Sequence, residues 1–266
     1  MAQIDNRYAH VGSAAQTRGE VVDAGLRAYM LRVYNYMGAG VALTGLVAYA
    51  IYTLAVTTDP ALAAQADGRM MGLRNGLFLT PFGQLVFASP LKWVLMLAPL
   101  AMVFFMSFRV DKMSVGTAQI SFWAFAALMG ASMSTIFLVF TGVSITRVFF
   151  ITAATFGALS LWGYTTKKDL SGWGTFLIMG VIGIVIASVV NIFLQSSALQ
   201  FAISVIGVLA FAGLTAYDTQ RIKDMYYEVA GDAAVMTKAA IMGALSLYLD
   251  FINMFQSLLY LFGNRE

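Results

Sequence analysis

The chain has no cysteine and one histidine, and only 11% of its 266 residues are charged. The missing cysteine excludes disulfides, thiolate metal sites and cysteine nucleophiles. The histidine, His10, lies in a polar stretch near the start of the chain, and no H-E-x-x-H, G-x-S-x-G or P-loop motif is present. Because soluble domains contain about 25% charged residues, this composition does not fit an ordinary soluble protein.

Few features suggest an enzyme or a nucleic-acid-binding protein. The segment GASMST (130–135) offers hydroxyl groups without a general base, so small-residue helix contacts are the favoured interpretation. Basic residues are neither clustered nor interleaved with exposed aromatic residues, which argues against nucleic acid as a partner. We expect no enzymatic activity and no cofactor.

Long apolar runs fill most of the chain, and 60% of the residues are hydrophobic. Crossing about 30 Å of hydrocarbon takes about 20 helical residues, and no run shows the period-two alternation of barrel strands. The sequence therefore predicts an all-α integral membrane protein, with the lipid bilayer as its first partner. Seven transmembrane helices are predicted, at 33–56, 92–109, 117–140, 144–165, 173–195, 199–217 and 240–262.

Residues 1–32 are polar and are predicted to form a cytoplasmic tail ahead of a membrane domain over 33–263. The tail lacks the apolar core of a cleavable signal. Eleven of the sixteen basic residues fall on the side of the tail, which predicts a cytoplasmic N-terminus. The pattern favours a multi-pass protein of a bacterial inner (plasma) membrane.

The connection 57–91 is the only long one, and it is predicted to lie on the non-cytoplasmic side. Its apolar part, GLFLTPFGQLVFASP, is too short and too interrupted by glycine and proline to span a membrane. An interfacial or re-entrant segment is the favoured interpretation, and a packed loop is the alternative.

Asp218 and Asp250 are the two carboxylates set in or beside long apolar runs. A charge at membrane depth costs about 2.5–3.5 kcal/mol on insertion scales, so such residues are functional candidates. Asp218 has a simpler alternative, as an interfacial acid paired with Arg221 or Lys223. Asp250 has no such neighbour in sequence.

Helical spacing places Asp250 within a polar stripe on the last span. The stripe consists of Ser246, Asp250, Asn253 and Ser257, separated by four, three and four residues. A polar stripe on an apolar helix is expected to face the bundle interior or water. Structural hydrogen bonds would explain the serines and the asparagine, but a carboxylate is a costly way to join helices.

Two carboxylates in contact cannot easily both be ionised in a poorly hydrated site, so the pair is expected to share a proton near neutral pH. A neighbouring cation would favour the charged form. Arg109, at the end of the second span, is a candidate for that cation. Its alternatives are an interfacial anchor and a partner for Asp111.

Several segments of the chain resemble the Bax inhibitor-1 family, also called the transmembrane Bax inhibitor motif family, in its bacterial YccA/YetJ-like branch. The matching segments are AYDTQRIK (216–223), ALSLYLDFINMFQSLLYLFG (244–263), SPLKWVLMLAPLAMVFF (89–105) and TKKDLSGWG (166–174). The resemblance implies a central last helix surrounded by the other six. It also implies a pH-sensitive calcium-leak channel, in which Asp218 and Asp250 share a proton and Arg109 latches to Asp218.

The physical form of that hypothesis is a weak, transient Ca²⁺ site. Asp218 and Asp250, with Ser246, Asn253 and water, would supply oxygen ligands, and weak binding lets the ion leave. Proton occupancy would compete with cation occupancy. Two alternatives stay open: a regulatory partner of a membrane protease or stress-response complex, which would bind through residues 1–32, and a proton-coupled transporter.

Overall fold

The computed structural model describes the backbone of residues 2–66, 69–73 and 76–265 and the side chains of residues 24–65, 70–73 and 76–265. The first residues of the predicted tail, including His10, lie outside the described side chains.

Seven long helices make up most of the chain, and each contains a stretch long and apolar enough to cross a membrane. The prediction of an all-α membrane protein with seven spans is therefore confirmed. The helices are α1 Ala2–Ala55, α2 Leu91–Arg109, α3 Val115–Met133, α4 Gly142–Thr165, α5 Ser171–Leu194, α6 Ser197–Val229 and α7 Ala233–Phe262. Short helical segments follow α2 at Val110–Lys112 and α3 at Ile136–Val139.

The connections between helices collect at two ends of the bundle. At one end, the Lys238 ammonium donates to the carbonyl of Asp111, 3.1 Å away, and the Gln220 amide donates to the carbonyl of Lys168, 2.9 Å away. We call this the basic end. At the other end, the amide of Thr141 donates to the carbonyl of Asn264, and we call it the distal end.

The last helix, α7, is the most buried of the seven. It packs against α6, α1, α4 and α3, whereas α2 packs mainly on α3 and α5 mainly on α6. The helix is therefore central, with four neighbours in extensive contact and two helices further out. Its fully buried side chains include Leu247, Tyr248 and Met254, which anchor the apolar core.

The pair α6 and α7 runs antiparallel across a narrow turn at residues 230–232. Close contacts fix their register: a Cβ on Gly207 would meet Ser257, and a Cβ on Gly243 would meet Ile222. Each glycine lets the opposite helix approach. The register places Asp218 and Asp250 within about one helical turn (about 5.4 Å) of each other along the axis.

The long connection folds over the distal end of α1. It holds two antiparallel pairs of short strands, β1 Val56–Thr57 with β4 Phe78–Leu79 and β2 Gln65–Ala66 with β3 Arg69–Met70. A 3-10 turn at Pro60–Leu62, a single helical turn at Pro81–Gly83 and a π-helix at Gln84–Ala88 complete it.

Thr80 ties this connection to α1. Its amide donates to the carbonyl of Ala55, 3.0 Å away, and its hydroxyl donates to the carbonyl of Leu54, 2.8 Å away. Gly83 lies against the same carbonyl of Ala55. These contacts hold the connection against the distal end of α1.

The first helix starts earlier than the predicted span at residue 33. The helix includes residues 24–32, of which Leu26, Tyr29 and Met30 are buried. One face of residues 24–32 therefore packs on the bundle. Charged Arg27 and Arg32 concealed this in the sequence, because both side chains are exposed while their neighbours face inward.

Replacing Gly163 with alanine should destabilise the bundle, because the added Cβ would overlap the carbonyl oxygen of Ala216 on α6. Overpacking of this kind costs about 1–3 kcal/mol. The matched control is Gly157→Ala on the same helix, where a Cβ meets nothing within 4 Å. Thermal unfolding in detergent should show a lower melting temperature for the first variant only. Equal melting temperatures would contradict the close packing of α4 on α6.

Candidate functional site

Asp218 and Asp250 come together where α6 packs on α7. Both carboxylate residues are buried, with residue exposures of 7% and 4%. The helix register set by Gly207 and Gly243 places them within about one helical turn of each other along the axis. The structure thus brings together the two acidic residues that the sequence singled out.

Arg221 is the cation at this site. Its Nη2 lies 3.2 Å from Oδ1 of Asp218, one helical turn earlier on α6. The same nitrogen lies 3.3 Å from the hydroxyl oxygen of Ser246 on α7, to which it donates a hydrogen bond. The guanidinium also lies 5.8 Å from the ring centroid of Tyr217. Arg221 therefore bridges the two helices at the edge of the carboxylate pair.

Asp250 has fewer partners for its carboxylate than Asp218 has. Its Oδ2 is buried and has no hydrogen-bond partner among the described residues. Burying an ionised carboxylate without a partner is strongly unfavourable. The physical options are a proton on the pair, a cation or a water molecule at this oxygen.

Two members of the polar stripe on α7 contact α6. Ser246 accepts from Arg221, and Ser257 contacts Gly207 of α6. The Asn253 amide, however, donates to the carbonyl of Leu249, one turn earlier on the same helix, 2.8 Å away. Its side-chain oxygen carries no recorded hydrogen bond within the described part of the chain, which leaves one neutral oxygen near Asp250.

Arg109 does not join the pair. Its side chain is exposed at the end of α2, and it forms no ion pair among the described residues. The only recorded ion pair among them joins Arg221 to Asp218. Arg221, three positions after Asp218 on α6, forms the ion pair that the sequence offered as the simpler alternative for Asp218.

Residues after Asp218 join α6 by hydrogen bonds to the end of α4 and to the loop that follows it. The Gln220 side chain accepts from the amide of Leu170 and donates to the carbonyl of Lys168. The Lys223 ammonium donates to the carbonyl of Tyr164, 3.0 Å away. These bonds hold the basic-end loop 166–170 against α6, so the segment carrying Asp218 and Arg221 is fixed in place.

Sequence reasoning missed a chain of buried hydroxyls beside the site. Tyr34 on α1 shares a hydrogen bond of 2.6 Å with Ser160 on α4, and Ser160 shares one of 2.9 Å with Thr219 on α6. Thr219 is adjacent to Asp218. Single hydroxyl groups in apolar helices are common, so no pattern in the sequence marked these three.

The site offers few strong ligands for a metal ion. Within the part of the chain that the structure describes, no three Asp, Glu or His side chains cluster. Ca²⁺ prefers six to eight oxygens, and here two carboxylates and neutral oxygens are available. Such a donor set fits a transient ion and not a tightly held one.

Comparison with known proteins agrees with this architecture. The family model described as "Inhibitor of apoptosis-promoting Bax1" matches residues 26–266. The chain belongs to the Bax inhibitor-1 family. It is 42% identical to the inner membrane protein YbhL of Escherichia coli over 262 residues, which cover 98% of this chain and all of YbhL.

Two further relatives cover nearly the whole chain. A protein of Caulobacter vibrioides is 48% identical over 246 residues, covering 92% of each chain. A protein of Rickettsia prowazekii is 46% identical over 250 residues, covering 94% of this chain and 95% of the relative. The family assignment predicted from the motifs is confirmed.

Replacing Arg221 with glutamine should destabilise the protein mainly when Asp218 is present, because the change leaves a buried acid without its cation. A double-mutant cycle of Arg221→Gln and Asp218→Asn, followed by thermal unfolding, measures this coupling. Because Arg221 is 44% exposed, we expect a coupling of about 1 kcal/mol.

The matched control for this cycle is Arg109→Gln in the same two backgrounds. The Arg109 side chain is exposed and unpaired in the described structure, so its coupling to Asp218 should be close to zero. Coupling of Asp218 to Arg109 and not to Arg221 would show that the site is assigned to the wrong cation.

Proposed function

We propose that the protein is a pH-sensitive calcium-leak channel in which Asp218 and Asp250 share a proton. The observation that supports this most is the pair itself: two buried carboxylates on adjacent helices, with one oxygen of Asp250 unpartnered among the described residues. A buried acid with no partner is a costly feature. Binding and release of protons or cations would be a functional reason to keep such an acid buried.

Arg221 competes with other positive species for the carboxylate pair. A cation that binds Asp218 has to displace the guanidinium that now lies 3.2 Å from it. Three positive species, namely Arg221, H⁺ and Ca²⁺, therefore compete for two carboxylates. Their relative occupancy would bias the packing of α6 on α7, and thus an equilibrium between closed and open states.

The location of the protein follows from two observations. Eleven of the sixteen basic residues lie on one side of the predicted spans, the side of the basic end. The relative in Escherichia coli is an inner membrane protein by name. We therefore place the basic end in the cytoplasm and the protein in a bacterial inner membrane, with the carboxylate pair nearer the cytoplasmic side.

Calcium flux into proteoliposomes across pH 5–8 tests the proposal. Wild-type protein should show flux that changes with pH. Asp218→Asn and Asp250→Asn should each abolish the pH dependence, because a single remaining acid cannot share a proton. Asp224→Asn is the matched control, since Asp224 is an exposed carboxylate on the same helix, and it should behave as wild type.

Two results would contradict the channel. Unchanged pH-dependent flux in both aspartate variants would remove the pair from the mechanism. Wild-type flux equal to that of protein-free liposomes at every pH would remove conduction altogether and favour a regulatory membrane protein. In that case, deletion of residues 1–25 should abolish the capture of a protease or stress-response partner.

A further inference from the structure

A crevice separates α1 from α4 on the flank of the bundle. Its volume is about 540 Å³, within the range of small-molecule and lipid sites. It exists because α1 packs on α3 and α7, and α4 packs on α6 and α7, with few contacts between α1 and α4. Residues that line it include Arg27, Leu31, Tyr34, Gly157, Ser160 and Tyr164.

The walls of the crevice are apolar and open to the surroundings of the bundle. Leu31 and Leu161 on its two walls are 51% and 63% exposed. A Cβ placed on Gly157 would meet nothing within 4 Å. Because these side chains lie on membrane-spanning helices, the crevice is continuous with the hydrocarbon of the bilayer.

The inner surface of the crevice needs no polar ligand. Tyr34 and Ser160 are hydroxyl-bearing residues of this surface, and their oxygens lie 2.6 Å apart in a shared hydrogen bond. Ser160 also bonds to Thr219 behind it. With these groups satisfied, the interior suits an apolar chain better than a polar solute.

The basic end of the crevice is positively charged. Arg27 lies one and two helical turns before Leu31 and Tyr34, on the same face of α1, and its exposed side chain has no ion pair among the described residues. Tyr164, in the last turn of α4, lies on the opposite wall from Arg27. The ammonium of Lys223 lies 5.6 Å from the centroid of the Tyr164 ring. Because Lys223 already donates to the carbonyl of Tyr164, Arg27 is the cation that this end of the crevice offers to a ligand.

An apolar crevice with a cation at its interfacial end matches the chemistry of one class of ligand. Basic pockets between transmembrane helices bind the headgroups of anionic lipids. We infer that this crevice binds one anionic phospholipid, with its phosphate at Arg27 and an acyl chain between Leu31 and Gly157. The inference does not depend on ion conduction. Ser160 on the inner surface of the crevice is hydrogen-bonded to Thr219, the residue after Asp218.

Lipid binding to delipidated full-length protein in detergent tests the inference. Phosphatidylglycerol and phosphatidylcholine with identical acyl chains are titrated, and binding is followed by native mass spectrometry and thermal shift. The wild type should prefer phosphatidylglycerol by about fivefold or more, since one basic residue near a lipid headgroup contributes about that factor. Arg27→Gln should lose the preference and keep weak binding of both lipids.

Two further variants separate the site from general effects. Gly157→Leu fills open space in the crevice and should weaken the binding of both lipids. Arg109→Gln removes an exposed cation at the same end of the bundle and should keep the wild-type preference.

The inference is overturned by any of four results. The first is a wild type without headgroup preference, and the second is an equal loss of that preference in Arg27→Gln and Arg109→Gln. The third is unchanged lipid binding in Gly157→Leu. The fourth is stabilisation by inorganic phosphate alone that equals the stabilisation by phosphatidylglycerol. The third would indicate annular lipid only, and the fourth a free phosphate site.

Discussion

The packing of α6 against α7 is the constraint on which the rest of the structure depends. Gly207 and Gly243 allow the two helices to approach, and this approach buries Asp218 and Asp250 in one place. The other helices then complete the enclosure: α1, α3 and α4 pack on α7, and α2 and α5 lie outside. Once two acids are buried together, their charge has to be balanced, and Arg221, protons and cations are the species available.

Arg221 sets the net charge of the carboxylate site. With the guanidinium 3.2 Å from Asp218, the two carboxylates and one arginine carry a net charge of minus one, or zero if one proton is shared. A structure with the pair protonated once therefore buries no net charge.

The sequence predicted the fold well because membrane spans depend on length and hydropathy, which are local properties. From α2 onward, each helix begins within a few residues of its predicted start, except α7, which begins at residue 233 and not at 240. The beginning of α1 was placed too late, because exposed Arg27 and Arg32 concealed the buried Leu26 and Tyr29.

The site was only partly accessible from sequence. Helical spacing identified the stripe around Asp250 because its members lie on one helix. The choice between Arg109 and Arg221 needed tertiary structure, since both are basic residues near the end of a predicted span. The Tyr34–Ser160–Thr219 chain joins three separate helices, and the crevice lies between two of them. No local pattern encodes such contacts.

The shared proton is the central claim of this account, and infrared difference spectroscopy of the protein in lipid membranes tests it most directly. At neutral pH the wild type should show the C=O stretching band of a protonated carboxyl group. This band should be lost in both Asp218→Asn and Asp250→Asn, where Arg221 can neutralise the remaining acid, and kept in Asp224→Asn. Absence of the band in the wild type, or its persistence in both variants, would contradict the account.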